Sequence, residues 1–193
     1  MVKDSKISLT SSIVEEELKR VNYKIKYRKL LKSTIFALIV ASSVATLIAS
    51  FVLSLFEING SSMAPTLEEG QIVIAFKDKT IDQGDVIAFY QGNKILVKRV
   101  LARAGSFVNI DDAGNVYVDG KIVKETYIDD KSMGNSDIEY PYQVPDGHYF
   151  VLGDKRDTSL DSRNSLVGAV AKEDIIGKVK ISVWPINKLE IIK

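Results

Sequence analysis

The chain of 193 residues contains no cysteine and a single histidine, His148. The first absence excludes a disulfide framework, a cysteine nucleophile and every thiolate metal site. It fits a reducing compartment and an exposed bacterial surface equally well. The second excludes a multi-histidine zinc site and leaves one imidazole for any Ser-His-Asp arrangement. An excess of charge is also missing, since 26 Lys+Arg stand against 25 Asp+Glu. That balance conceals a division. Residues 1–32 hold nine Lys/Arg against four Asp/Glu, whereas the remainder holds 17 against 21. A weakly acidic body lacks the basic patch that nucleic acid requires, so no nucleic-acid partner is expected.

What the chain does have is a long uncharged run. From Ser33 to Phe56 there are 24 residues without a charge. As a helix this run reaches roughly 36 Å, against a hydrocarbon core of about 30 Å. A cleaved signal peptide has a shorter apolar region and begins nearer the start of a chain. Residues 33–56 are therefore expected to span a membrane and contact lipid. Lys19, Arg20, Lys24, Lys26, Arg28, Lys29 and Lys32 precede the run, and Glu57, Glu68 and Glu69 follow it. The positive-inside rule then puts residues 1–32 in the cytoplasm and 57–193 outside the cell membrane.

Residues 57–193 read as strands. Short apolar runs at 72–76, 86–90, 95–101, 107–110, 116–118, 149–152 and 178–184 alternate with turn signals such as Gly84-Asp85, Gly92-Asn93, Asp119-Gly120 and Pro145-Asp146-Gly147. Asn109–Lys121 reads as a hairpin followed by a tight turn. This density of strands predicts a mainly β, antiparallel, barrel-like body behind one N-terminal helix. Residues 126–145 are polar and turn-rich, an excursion from that body.

With cysteine absent and imidazole scarce, a hydroxyl nucleophile activated by lysine is the remaining route to hydrolysis. A lysine must lose about 2–3 pKa units to act as a neutral base near pH 7–8. Burial among apolar groups achieves this. In Ile95–Val100, alternation puts Leu96, Lys98 and Val100 on one strand face, with Val97 and Arg99 on the other. Lys98 is thus either a desolvated base or an edge-strand lysine that discourages aggregation, the commoner use. Ser61 and Ser62 lie in Asn59–Leu67, where a preceding Gly60 and following Pro65 fix an irregular backbone. Such serines are candidate nucleophiles or ordinary turn hydroxyls. Between Gly153 and Arg163 acids and bases alternate, which suggests ion pairing within the loop. The interleaved Lys155, Arg156 and Arg163 disfavour a metal at Asp154, Asp157 and Asp161, so neither metal nor cofactor is expected.

Several segments, in order, resemble the bacterial type I signal peptidases. Gly60–Leu67 resembles the serine box and Gln83–Phe89 the following strand box. Val97–Val100 resembles the lysine box and Gly153–Arg163 the Gly-Asp-x-Arg-Asp-x-Ser-x-Asp-Ser-Arg box. Gly177-Lys178 and Trp184-Pro185 are similar to the closing strand. The resemblance implies a membrane-anchored serine endopeptidase that removes signal peptides from exported preproteins after small residues at −1 and −3. It implies Ser62 as nucleophile, Lys98 as general base and Ser159 as a hydrogen-bond partner orienting the amine. Asp161 and Arg163 would form a supporting ion pair, and Ile58 and Val97 would line substrate pockets. One span and a short ectodomain look like the Gram-positive type. Two residues before Ser62 stands Gly60, which offers no hydroxyl to an oxyanion. A self-cleaving Ser/Lys regulator would need a soluble DNA-binding N-terminal domain in place of the span. A catalytically silent membrane assembly factor is the non-enzymatic alternative, though silent relatives would be expected to lack the serine or the lysine.

His148 lies outside every matching segment. His148→Ala is therefore expected to keep wild-type cleavage of a preprotein, as measured by product formed per unit time.

Overall fold

In the computed structural model the described residues are 11–78 and 80–192. They form two compact units, one up to Ala49 and one from Ser50 onward.

The first unit is helical. Helix α1 runs Ser11–Val52, and its side chains from Ile13 to Ile48 are exposed. Among the described residues it is the one helix long and apolar enough to cross a membrane. Its few polar groups in the apolar stretch are satisfied by the helix itself. Thr34, Ser43 and Thr46 donate to the carbonyls of Leu30, Ile39 and Ser42 at 3.0, 2.8 and 2.9 Å. Hydroxyls bonded to their own helix leave no polar group in need of water, as a hydrocarbon environment requires. The helix is continuous from residue 11, so the basic segment is part of it. The expected span ended at Phe56, but the helix stops at Val52. Leu53–Glu57 is a strand instead, because it pairs antiparallel with Ile72–Phe76.

The second unit is built from two antiparallel sheets. Its strands are β1 (Leu53–Glu57), β2 (Ile72–Phe76), β3 (Val86–Gln91), β4 (Lys94–Arg103), β5 (Phe107–Ile110) and β6 (Val116–Val118). They continue with β7 (Lys121–Ile122), β8 (Tyr142–Gln143), β9 (His148–Leu152), β10 (Val170–Ala171), β11 (Ile175–Trp184) and β12 (Glu190–Ile191). The larger sheet has the order β1-β2-β11-β3-β4-β9-β10, with β12 also on β11. The smaller has the order β7-β6-β5-β8. Neither closes into a barrel, which corrects the barrel-like expectation. β1 pairs only with β2 and β10 only with β9, so both ends of the large sheet stay open.

The tight turn after Val118 has left-handed backbone at both Asp119 (φ 51°) and Gly120 (φ 76°). That is the geometry a two-residue hairpin needs to match strand twist. β11 is shared between neighbours, pairing with β3 through Ile175–Lys178 and with β2 through Lys178–Trp184. Gly177 sits where it changes partner. A Cβ there would lie 2.3 Å from the Phe76 carbonyl oxygen, so only hydrogen fits between the two backbones. Three apolar clusters fill the body, centred on Leu67 and Val73, on Ile87 and Phe89, and on Val108 and Phe150.

Gly177→Ala is expected to destabilise the second unit by about 1–3 kcal/mol, the usual cost of overpacking. Chemical denaturation of the purified protein checks this, with a lowered midpoint as the expected result.

Candidate active site

The nucleophile candidate sits in the turn that follows β1. Gly60 has φ +86°, a conformation that strains any side-chain-bearing residue. This explains why no hydroxyl residue stands there, even though space for a Cβ is open. The turn is pinned by Leu67 N–H donating to the Met63 carbonyl at 2.8 Å. Met63 and Leu67 are buried to 1% and 0% exposure and anchor it in the core. Ser62 is thereby held half-buried, its hydroxyl facing β4.

Lys98 lies on β4, beside Ile87 of β3. The strand is buried on both faces from here to Ala102, and Lys98 is only 3% exposed. Lys98 is therefore not an exposed lysine that blocks edge pairing. Its Nζ is 2.6 Å from Ser62 Oγ. Burial pushes the amine down from 10.5 to about 8, against the opposing pull of Asp161 and Asp154, with Arg163 helping to lower it. A neutral amine accepts the serine proton, and this geometry puts the two atoms at hydrogen-bond distance before any substrate arrives.

The Gly153–Arg163 loop closes over this pair. Lys155 N–H donates to the Ser62 carbonyl at 3.1 Å, and Asp161 Oδ2 accepts from Gly153 N–H at 2.9 Å. A Cβ on Gly153 would lie 2.0 Å from Ser159 Oγ and 2.6 Å from the Ser62 carbonyl oxygen. Glycine is what allows the loop to approach so closely. The expected Asp161–Arg163 pair is present and bidentate, at 2.8 and 2.9 Å. The expected Ser159–Lys98 hydrogen bond is not. Ser159 Oγ is buried without a hydrogen-bond partner, because it packs over Gly153 while the amine is engaged by Ser62. Ser159 is thus near the dyad but does not orient the amine in this conformation.

Two further charges of the loop, Asp154 and Arg156, pair outside it, in addition to the pair within it. Asp154 is held by Arg99 at 2.9 and 2.8 Å, both side chains being almost fully buried. Thr66, in the nucleophile turn, donates its hydroxyl to the same carboxylate. Arg156 pairs with Glu125, whose carboxylate also accepts from Tyr127 Oη at 3.0 Å. The Tyr127 ring lies 3.9 Å under the Arg99 guanidinium, a contact worth up to about 2 kcal/mol when desolvated. Burial raises the Tyr127 hydroxyl above its ordinary pKa, with Glu125 acting the same way. Arg163 donates to the carbonyls of Ser132 and Met133 at 3.1 and 2.8 Å. The polar excursion is therefore stapled to the site by three arginines. Sequence reasoning missed Arg99, Asp154, Thr66, Glu125 and Tyr127. The one available signal was Arg99 itself, an arginine in an apolar strand that demands a buried acceptor.

Beside the dyad runs a groove of about 770 Å³, lined among others by Leu55, Ile58, Ser62, Lys94, Val97 and Lys98. Ile58, at 4% exposure, and half-buried Val97 thus come together there, as the sequence suggested. Two strand edges are unpaired at its sides. Among the described residues β1 bonds only to β2, and Lys94–Lys98 bond only to β3, with β9 joining from Arg99 onward. Such edges recruit an extended peptide through main-chain hydrogen bonds. Ser62 N–H donates to no group among the described residues and is available to a developing oxyanion.

Comparison with known proteins gives a consistent picture. The family described as signal peptidase, peptidase S26, matches residues 28–184. Signal peptidase I T of Bacillus subtilis strain 168 is 33% identical over 172 residues, covering 81% of this chain and 87% of that protein. Signal peptidase IB of Staphylococcus aureus strain N315 is 31% identical over 183 residues, covering 84% and 94%. A crystal structure of a signal peptidase I from Enterococcus faecalis V583 overlays 51% of this chain and 96% of its own, with 27% identity and a TM-score of 0.42.

Depressing a lysine from 10.5 to about 8 costs the folded state roughly 3 kcal/mol at neutral pH, at about 1.4 kcal/mol per unit. Between those two values the unfolded chain holds the extra proton, so stability rises with pH across that window and is lowest below it. Lys98→Met is expected to raise the unfolding free energy at pH 7, read from chemical denaturation, by up to about that amount, with the gain disappearing above pH 10.5.

Proposed function

Because the chain belongs to the signal peptidase family, peptidase S26, we propose that it cleaves signal peptides from preproteins by attack of Ser62, with Lys98 as general base. The observation that carries this assignment is the 2.6 Å approach of a buried Lys98 amine to the Ser62 hydroxyl. The chain is a serine endopeptidase by its relatives; the assignment of its residues rests on the chemistry of the site.

In the proposed mechanism a preprotein segment lies extended in the groove, with small side chains against Ile58 and Val97. Neutral Lys98 takes the Ser62 proton as Oγ attacks the scissile carbonyl. The Ser62 N–H donates to the oxyanion. The tetrahedral intermediate collapses, and the Lys98 ammonium returns its proton to the departing amine, the new N-terminus of the exported protein. An ester then links the signal peptide to Ser62. Lys98, neutral again, removes a proton from water as it attacks the ester; the tetrahedral intermediate then collapses, the ammonium returns the proton to Ser62 Oγ, and the signal peptide leaves with a free carboxylate. Asp161 and Arg163 support the loop that confines the amine. Ser159 packs over Gly153, beside the Ser62 carbonyl, and would turn its hydroxyl to the amine once substrate displaces the resting Ser62–Lys98 contact.

The helix α1 fits a single-pass anchor, with residues 1–32 cytoplasmic, 33–52 in lipid and the body outside a bacterial cell membrane. The flanking charges support this orientation. A catalytically silent assembly factor gains nothing from a desolvated amine on a hydroxyl, whose burial costs stability.

Ser62→Ala and Lys98→Ala in the detergent-solubilised full chain are each expected to reduce preprotein cleavage by at least about a thousandfold, with thermal unfolding still cooperative. Full activity in either folded variant contradicts the dyad. For wild type, the cleavage rate is expected to rise with pH through a midpoint near 8, as the amine loses its proton.

A further inference from the structure

The excursion between β7 and β8 takes no part in the chemistry above, yet it is attached to the site through buried groups. Its side of the contact is Glu125 and Tyr127. Its target is Arg99, which lies next to Lys98 in β4 with its side chain on the opposite face. Arg99 reaches Asp154 with two nitrogens, donates to the Gly84 carbonyl at 2.8 Å and lies 3.2 Å from Thr66 Oγ1. Asp154 in turn accepts the Thr66 hydroxyl. Thr66 is four residues beyond Ser62, in the same turn. A single line of contacts therefore runs from the Tyr127 ring through Arg99 and Asp154 to the back of the nucleophile turn.

We infer that Tyr127, held by Glu125, is a positioning residue that braces the Ser62 turn from behind through Arg99, Asp154 and Thr66. The inference rests on Ser62 being the nucleophile. Three features favour a brace over general packing. Tyr127 meets Arg99 by its ring face at 3.9 Å, so the contact orients the guanidinium plane and shields its pair with Asp154 from water. The Tyr127 hydroxyl is bonded to Glu125, which is itself bound by Arg156. Arg156 then donates to the Gly153 carbonyl at 3.0 Å, so the excursion grips both ends of the link between β9 and the site loop. Finally, none of these residues lines the groove beside Lys98. Loss of the brace should therefore loosen the nucleophile without altering how substrate is held.

The chemistry predicts a split between turnover and binding. A displacement of the attacking oxygen by a fraction of an ångström lowers kcat, whereas the groove that sets KM is untouched. Arg99 occupies Asp154, one of the two carboxylates that favour the proton on Lys98, so the discriminating readout is the split between kcat and KM.

The test is steady-state cleavage of a preprotein by the full chain, with Ser62→Ala alongside. Tyr127→Leu keeps bulk but removes the ring face, and is expected to lower kcat by about ten- to a hundredfold, with KM near wild type. Tyr127→Phe keeps the ring face and is expected to recover most of the lost kcat. Thr66→Val removes the last link while preserving shape, and is expected to lower kcat in the same way. It carries the test if Tyr127→Leu does not fold. Wild-type kcat in folded Tyr127→Leu, or in Thr66→Val, overturns the brace. So does a loss that appears in KM, or one shared equally by Tyr127→Phe. An active Ser62→Ala would instead overturn the nucleophile assignment, and the two failures are thereby distinguished.

Discussion

A lysine amine 2.6 Å from a serine hydroxyl, kept from water so that it can lose its proton near neutral pH, is the constraint that the rest of the body accommodates. Desolvation alone would be simple to arrange on an apolar strand. The difficulty is that two carboxylates of the loop closing over the amine, Asp161 and Asp154, pull a proton back onto it. The structure answers by occupying each carboxylate with a buried arginine, Arg99 for Asp154 and Arg163 for Asp161. The pairs add little net stability of their own, but removal of one partner from such a pair typically costs about 3–5 kcal/mol. That makes the loop rigid in composition as well as in shape.

An open sheet serves the same site. A closed barrel would leave no strand edge to receive an extended peptide. Here β1 and the first half of β4 both keep an unpaired edge along the groove. Unpaired edges ordinarily invite aggregation. In the proposed mechanism a substrate strand would cover them, and the groove they flank is lined by Ser62 and Lys98.

Much of this was legible in local pattern. The strands at 72–76, 107–110 and 116–118 emerge with the expected limits, because turn residues bound each apolar run. Alternation drew attention to Lys98 and the Gly-before, Pro-after turn to Ser61 and Ser62, between which only the resemblance chose Ser62. The helix end was misread since Leu53–Phe56 are as uncharged as the residues before them. Only their pairing with β2 makes them strand, and pairing partners are not written in local composition. The same limit hid the arginine partners. Arg156 and Glu125 are 31 residues apart, Arg99 and Asp154 are 55 apart, and no local periodicity links them. Ser159 shows the converse: resemblance to a family assigns it to the amine, yet its hydroxyl has no partner in this conformation.

The account stands on Lys98 being a neutral amine under working conditions, and this is directly measurable. Nuclear magnetic resonance of the full chain, with lysine carbons labelled and Lys98→Met used to assign the signal, gives the titration of that one amine. A midpoint near 8 is predicted. A midpoint near 10.5, the ordinary lysine value, would leave fewer than about one amine in a thousand neutral at pH 7, against about one in ten for a midpoint near 8, and would contradict Lys98 as the base.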